Sequence, residues 1–112
     1  MTPAKVGEMI IPSINGNNIV NVNNVNMITC GGQASIPLLN LISLYSKHID
    51  YIEVISQIAS KSAGMATRIN VDTYINTTES AISKFTGCEN VKVILNLNPA
   101  EPCVDMQTTM FV

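Results

Sequence analysis

Val25-Asn26-Met27-Ile28-Thr29-Cys30-Gly31-Gly32-Gln33-Ala34-Ser35-Ile36-Pro37 is the stretch on which the reading of the fold turns. Val25 to Thr29 is short and β-branched in character, and two glycines follow Cys30. It reads as a strand that ends in a tight glycine turn carrying that cysteine. The pattern then changes. Ser35 is a candidate N-cap, Pro37 suits a first helical turn, and Leu38, Leu41, Ile42 and Tyr45 recur at spacings of three and four, which predicts a helix ending near His48.

Upstream, residues 1–24 hold Pro3, Gly7, Pro12, Gly16 and much of an asparagine-rich run that continues to Asn26, so they read as a lead-in of turns. Downstream, Tyr51 to Ala59 alternates around Ile52, Val54 and Ile58 and predicts a second strand, which Ser60-Lys61-Ser62-Ala63-Gly64 breaks. Asn70 can cap a second helix with Val71, Tyr74, Ile75, Ala81, Ile82 and Phe85 on one face, and Gly87 supplies its stop. Val91 to Leu97 predicts a third strand, Asn98-Pro99-Ala100-Glu101-Pro102 a turn, and Val104 to Val112 a fourth strand. The order β-α-β-α-β-β predicts a single α+β domain over residues 1–112: a small, mostly antiparallel sheet with helices on one face. The other face, expected to carry Ile, Val and Leu, would pack against a second copy or a further domain.

Composition excludes several classes of function. Six Lys+Arg against eight Asp+Glu give a net charge of −2 with no run of one sign, so nucleic acid and anionic membrane surfaces are not expected partners. Apolar runs such as Met9 to Pro12 are far too short to cross a bilayer, and no basic-then-apolar leader opens the chain, so a cytoplasmic protein is expected. Cys30, Cys88 and Cys103 form no CxxC pair and His48 is the one histidine, which argues against a disulfide framework or a metal site.

Among these residues Cys30 has the most chemistry to offer. The positive end of a helix favours a thiolate, and Gly31 and Gly32 would leave N–H groups free to face an oxyanion. The alternative is a small buried apolar residue at a strand end. His48 is read as an imidazole resting against a helix C-terminus. Arg68 and the small residues before it offer donors to an anionic ligand or form a solvated loop, and Glu101 is a functional carboxylate or a turn residue.

The segment Asn23 to Pro37 resembles the active-site segment of the acylating acetaldehyde dehydrogenases, whose pattern reads NVNMVTCGGQATIP. Two more blocks agree in order: Ser60 to Gly64 with Thr67-Arg68, and Asn98 to Pro102. The resemblance covers nearly the whole chain from Pro3 onward. It implies a catalytic and dimerisation domain like the C-terminal catalytic domain of glyceraldehyde-3-phosphate dehydrogenase-like and semialdehyde dehydrogenases. It further implies oxidation of acetaldehyde or another short aldehyde with NAD and coenzyme A to acyl-CoA, a step of aromatic-hydrocarbon breakdown, with Cys30 carrying the acyl group. Ser62, Ala63, Gly64, Met65, Ala66, Thr67, Arg68, Ile69 and Asn70 would contact the cofactor. The expected partners are a second copy of the chain and a 4-hydroxy-2-oxovalerate aldolase.

Two departures accompany the match. Met65-Ala66 stands where the family has Pro-Gly, and Gln107-Thr108 where it usually has Arg-Asp. No G-x-G-x-x-G follows a strand, so the dinucleotide-binding domain is expected outside this chain, which then reads as a fragment of a longer enzyme. Two alternatives stay open: a non-catalytic assembly module that keeps the fold and its interface, and a related semialdehyde dehydrogenase with another acceptor.

Overall fold

The computed structural model describes residues 6–112, so the first five residues of the expected lead-in, Pro3 among them, lie outside the described residues. The rest of the lead-in is held by its own amide side chains. Strands β1 (Glu8–Met9) and β2 (Val25–Asn26) pair in parallel, joined through helix α1 (Pro12–Asn15) and a 3-10 stretch at Gly16–Asn21. Two residues per strand make a weak ladder, and Asn15 reinforces it: its Oδ1 accepts from Ile11 N–H at 2.8 Å and its Nδ2 donates to the Met9 carbonyl at 2.9 Å. Gln33 Nε2 ties the chain after β1 to the chain after β2, donating to the carbonyls of Ile10 (2.8 Å) and Met27 (2.9 Å).

The strand expected over Val25–Thr29 stops at Asn26. Ile28 adopts a left-handed backbone with φ of 64°, its N–H donating to the buried Asn26 Oδ1 at 2.9 Å, and a ladder cannot pass through that conformation. Thr29 becomes the N-cap of helix α2 (Cys30–Tyr45), which starts five residues before the Ser35 expected to cap it and ends before His48. Gly31 and Gly32 are therefore helical, not a turn, and Pro37 lies in the helix interior. Ser35, instead of capping, donates to the Gly31 carbonyl at 2.7 Å. Glycine's low helix propensity hid this start.

The remainder keeps the expected order, with two extra short elements between the second strand and the second helix. Strand β3 (Ile52–Ala59), helix α3 (Met65–Ile69), helix α4 (Val71–Thr86), β4 (Val91–Asn98) and β5 (Gln107–Phe111) succeed one another, and a 3-10 turn at Ser60–Ser62 comes directly after β3. Gly87 stops α4 in the left-handed region at φ 77°. Asn70 precedes α4 without capping it, since its Nδ2 donates to the Ala66 carbonyl at 2.9 Å.

Strand order is β4-β3-β5. β3 and β4 run parallel from Ile52↔Val91 to Ala59↔Asn98, and β3 and β5 antiparallel from Glu53↔Phe111 to Gln57↔Gln107. The α+β class holds, but the sheet is mixed rather than mostly antiparallel. The parallel pair needs a crossover, which α3 and α4 provide.

Ile52 and Val54 of β3, Val93 of β4, Ile36 and Leu39 of α2, and Ala81 and Ile82 of α4 form the core, so both long helices cover one sheet face. The apolar face expected on α4 is the buried one. On α2 the expected stripe turns outward: Leu38 and Leu41 are each 51% exposed and Tyr45 86%. The earlier helix start and the packing of Ser35, Ile36 and Leu39 select a neighbouring face. Alternation also makes the uncovered sheet face more polar than expected, with Glu53, Gln57, Lys92 and Asn96 around Ile55 and Ile94.

Candidate functional site

Cys30 is the first residue of α2 and is exposed, and Thr29 Oγ1 accepts the Gly32 N–H at 3.0 Å to close the turn that carries it. The thiol thus stands in solvent at the positive end of a 16-residue helix rather than in an apolar interior.

Two side chains of α4 hold that end in place. Thr78 Oγ1 lies 2.8 Å from Thr29 Oγ1 and gives its own hydrogen to the Tyr74 carbonyl at 2.7 Å, so the Thr29 hydroxyl is the donor between them. One turn earlier, Tyr74 Oη accepts the Gly31 N–H at 3.2 Å and lies 3.9 Å from Cys30 Sγ. Ser56 Oγ of β3 reaches the same point, fully buried and with no hydrogen-bond partner. A methyl group on Gly31 would collide with the Tyr74 hydroxyl and sit 2.5 Å from Ser56 Oγ, so only glycine allows α2 to approach β3 and α4 this closely. Burial, and then the charge on the neighbouring Cys30 sulfur, hold the Tyr74 phenol above its ordinary value, which keeps it a neutral O–H. Periodicity marks none of these three residues, because Tyr74 counts among the apolar positions of α4. The available signal was Tyr74 and Thr78 four apart, two hydroxyls on an otherwise apolar stripe.

The amides of Gly31 and Gly32 are not free for an oxyanion, contrary to expectation. The first donates to Tyr74 and the second to Thr29. Of the first-turn amides, that of Cys30 itself is the one without a partner among the described residues.

The other two blocks of the resemblance meet at the carboxyl ends of the parallel strands β3 and β4, the edge where open sheets with helical crossovers place ligands. From Ser62 to Asn70 the chain is an exposed strap in which Ala63 is buried and Thr67 half-buried. Arg68 curls back on it: Nε donates to the Ala63 carbonyl at 3.1 Å, and Nη2 to the Ser60 carbonyl at 2.7 Å and to Ser60 Oγ at 2.9 Å. This fixes the strap and leaves Nη1 as the outward donor. Met65 and Ile69 are exposed, and around Gly64 there is open space. The strap fits as one flank of a ligand with polar and apolar parts, but does not enclose one. An ion pair between Lys61 and Glu101 joins it to the Asn98–Pro102 loop, so the Glu101 carboxylate serves as a tie there. Thr108, at the departure from Arg-Asp, pairs with Ser56 across β5 and β3 and so borders the Cys30 cluster.

His48 is not brought to the thiol. It pairs with Asp50 at 3.0 Å, with both side chains exposed, beyond the far end of a helix about 24 Å long. A cleft of about 530 Å³ beside Ile42, Tyr51, Phe111 and Val112 lies at that same far end. Cys88 is buried, and Cys103 is exposed in the loop before β5. Among the described residues no group of three or more His, Cys, Asp or Glu is placed to hold a metal ion, and no helix is long and apolar enough to cross a membrane.

Residues 30–112 match the family described as prokaryotic acetaldehyde dehydrogenase, dimerisation. Over 99% of its length the chain is similar to proteins named acetaldehyde dehydrogenase: 58% identical to that of Spirochaeta aurantia, 57% to that of Pectobacterium atrosepticum and 55% to that of Burkholderia pseudomallei strain 668. It spans 37% to 38% of the length of those curated relatives.

Proposed function

Because the chain belongs to the prokaryotic acetaldehyde dehydrogenase dimerisation family, we propose that it is the catalytic and dimerisation part of a cytoplasmic enzyme that oxidises acetaldehyde or a similar short aldehyde to acyl-CoA. The observation that carries this reading is the exposed Cys30 at the start of α2, backed by the Tyr74 and Thr78 hydroxyls of α4. An α+β domain with a thiol at a helix start over a mixed sheet is also in keeping with the catalytic domain of glyceraldehyde-3-phosphate dehydrogenase-like and semialdehyde dehydrogenases. The dinucleotide-binding domain would lie outside this chain.

In the reaction, Cys30 Sγ adds to the carbonyl carbon, and the C–S bond forms as the carbonyl electron pair moves to oxygen. The Cys30 N–H is the backbone donor left to meet that oxygen. The strap of Ser62, Ala63, Gly64, Met65, Ala66, Thr67, Arg68, Ile69 and Asn70 would flank NAD, which would supply a hydride acceptor when bound. With that acceptor in place, the former carbonyl carbon would give up its hydrogen as hydride and the oxygen electron pair would re-form C=O, leaving a thioester on Cys30. The thiolate of coenzyme A attacks it, and the bond to Cys30 breaks to return the sulfur as a thiolate. Thioester exchange needs little more than positioning, because one thiol replaces another.

Self-association would use the outward face of α2, where Leu38, Leu41, Leu44 and Tyr45 form an exposed apolar surface. A 4-hydroxy-2-oxovalerate aldolase supplying the aldehyde is part of the same proposal.

The last step run in reverse tests the reading without NAD. Incubated with acetyl-CoA, the chain should gain one acetyl group on Cys30 by intact mass, and Cys30→Ser should gain none there. Acetylation of Cys30 no faster than of the exposed Cys103 would overturn it. That outcome would favour the second reading, a non-catalytic assembly module, for which the occupied Gly31 and Gly32 amides speak.

A further inference from the structure

We infer that Tyr74 is a positioning residue for Cys30: its hydroxyl, anchored by the Gly31 N–H, donates to the sulfur when it is a thiolate and turns to Ser56 Oγ when the sulfur is acylated. The inference rests on Cys30 as the acyl carrier and names a residue that acts on it.

A phenol has one hydrogen to give and lone pairs to receive. The Gly31 N–H at 3.2 Å occupies a lone pair, so the oxygen is fixed at the first turn of α2 and its hydrogen remains to be placed. Two acceptors are in reach. One is Cys30 Sγ at 3.9 Å, a long contact of the kind that tightens once the sulfur carries charge. The other is Ser56 Oγ, which crowds the same point beside Gly31 as the Tyr74 oxygen and is fully buried with no partner, a costly state for a hydroxyl in a core of this kind. A thiolate is the stronger acceptor and takes the hydrogen. A thioester sulfur is a poor one, so in the acyl state the hydrogen goes to Ser56. The phenol can do this because it does not ionise: burial and the sulfur's own charge both keep its proton in place. Each acylation would then move one hydrogen bond from the sulfur to the serine and each deacylation would return it, which favours the thiolate as leaving group.

The test measures iodoacetamide alkylation of Cys30 across pH in the chain, with Cys103 as internal reference. Tyr74→Phe keeps the ring and removes the hydroxyl. Cys30 alkylation should slow by about two- to tenfold near neutrality and its pH midpoint should move up, with Cys103 unchanged. Ser56→Ala removes the competing acceptor and should move the Cys30 midpoint the other way or leave it in place. A Tyr74→Phe profile superimposable on wild type, in a chain with unchanged circular dichroism, overturns the inference, as does a downward shift. If Cys30 in the unaltered chain behaves like Cys103 and fails to accept acetyl, it is the acyl-carrier reading that falls. The two failures are therefore separable. Should Tyr74→Phe not fold, the Ser56→Ala profile decides alone, and an upward midpoint shift there counts against the inference.

Discussion

The hydroxyls of Thr29 and Thr78 lie 2.8 Å apart, joining the N-cap of α2 to the middle of α4 across 49 positions of sequence. The pair combines a local duty, since Thr29 also accepts the Gly32 N–H, with a tertiary one. Thr29→Ala removes both and should cost about 1–2 kcal/mol, the upper part of the range for a lost cap. Thr78→Val should cost less. A double-mutant cycle from urea unfolding should show coupling of about 0.5–1.5 kcal/mol between them, and strict additivity would mean that the contact contributes nothing.

Two glycines should respond oppositely to alanine. At Gly31 alanine gains up to about 1 kcal/mol of helix propensity, but it collides with the Tyr74 hydroxyl and Ser56 Oγ, an overpacking that costs about 1–3 kcal/mol. The clash should win and lower the unfolding midpoint. Gly64 has an ordinary φ of −66° and nothing near the added carbon, so Gly64→Ala should be neutral or stabilise by up to about 1 kcal/mol. Equal responses at the two sites would contradict the close approach of α2 to β3.

Ile28 combines a left-handed backbone with a side chain only 7% exposed. Ile28→Gly would relieve strain of about 1–2 kcal/mol but delete core packing at a cost of about 2–5 kcal/mol. Net destabilisation is expected by thermal or urea unfolding. A more stable glycine variant would show that strain outweighs burial.

Glu53 is held below its ordinary 4.5, first by the Tyr51 hydroxyl that donates to it at 2.6 Å and then by Lys92, and Tyr51 is correspondingly raised above 10.0. A lowered acid contributes above its unfolded value and loses that contribution as pH falls through the folded one. A raised phenol contributes below 10.0 and loses its share as pH climbs past that point. The stability difference between the wild-type chain and Tyr51→Phe should therefore be flat between about pH 5 and pH 9 and shrink toward either extreme. A difference that grows on acidification would refute the assignment.

Leu41→Glu combined with Tyr45→Glu places charge on the outward face of α2 without touching the core. Sedimentation should show the association of the chain reduced at least tenfold with its circular dichroism intact, the effect expected of charge at an apolar contact. Unchanged association would move the interface elsewhere.

Much of the fold was legible because its signals are local. The alternation of β3, the apolar face of α4 and the stop at Gly87 are each written within a few residues, and Cys30 could be singled out from its neighbours. The features that stayed hidden depend on distant partners. The start of α2 runs through two glycines that propensity disfavours and tertiary packing requires. The parallel pairing of β3 with β4 leaves no mark within either strand. The Tyr74 and Ser56 hydroxyls become notable only because Gly31 lets three elements touch. The outward turn of Leu38 and Leu41 comes from that same helix start, and no window of the sequence contains it.

Since the hydroxyl beside the sulfur comes from Tyr74 of α4, a chain whose helices have formed without docking would still lack it. Cys30 therefore doubles as an internal gauge of tertiary assembly. Its labelling rate, tracked during refolding, would time the moment at which the two long helices seat against one another.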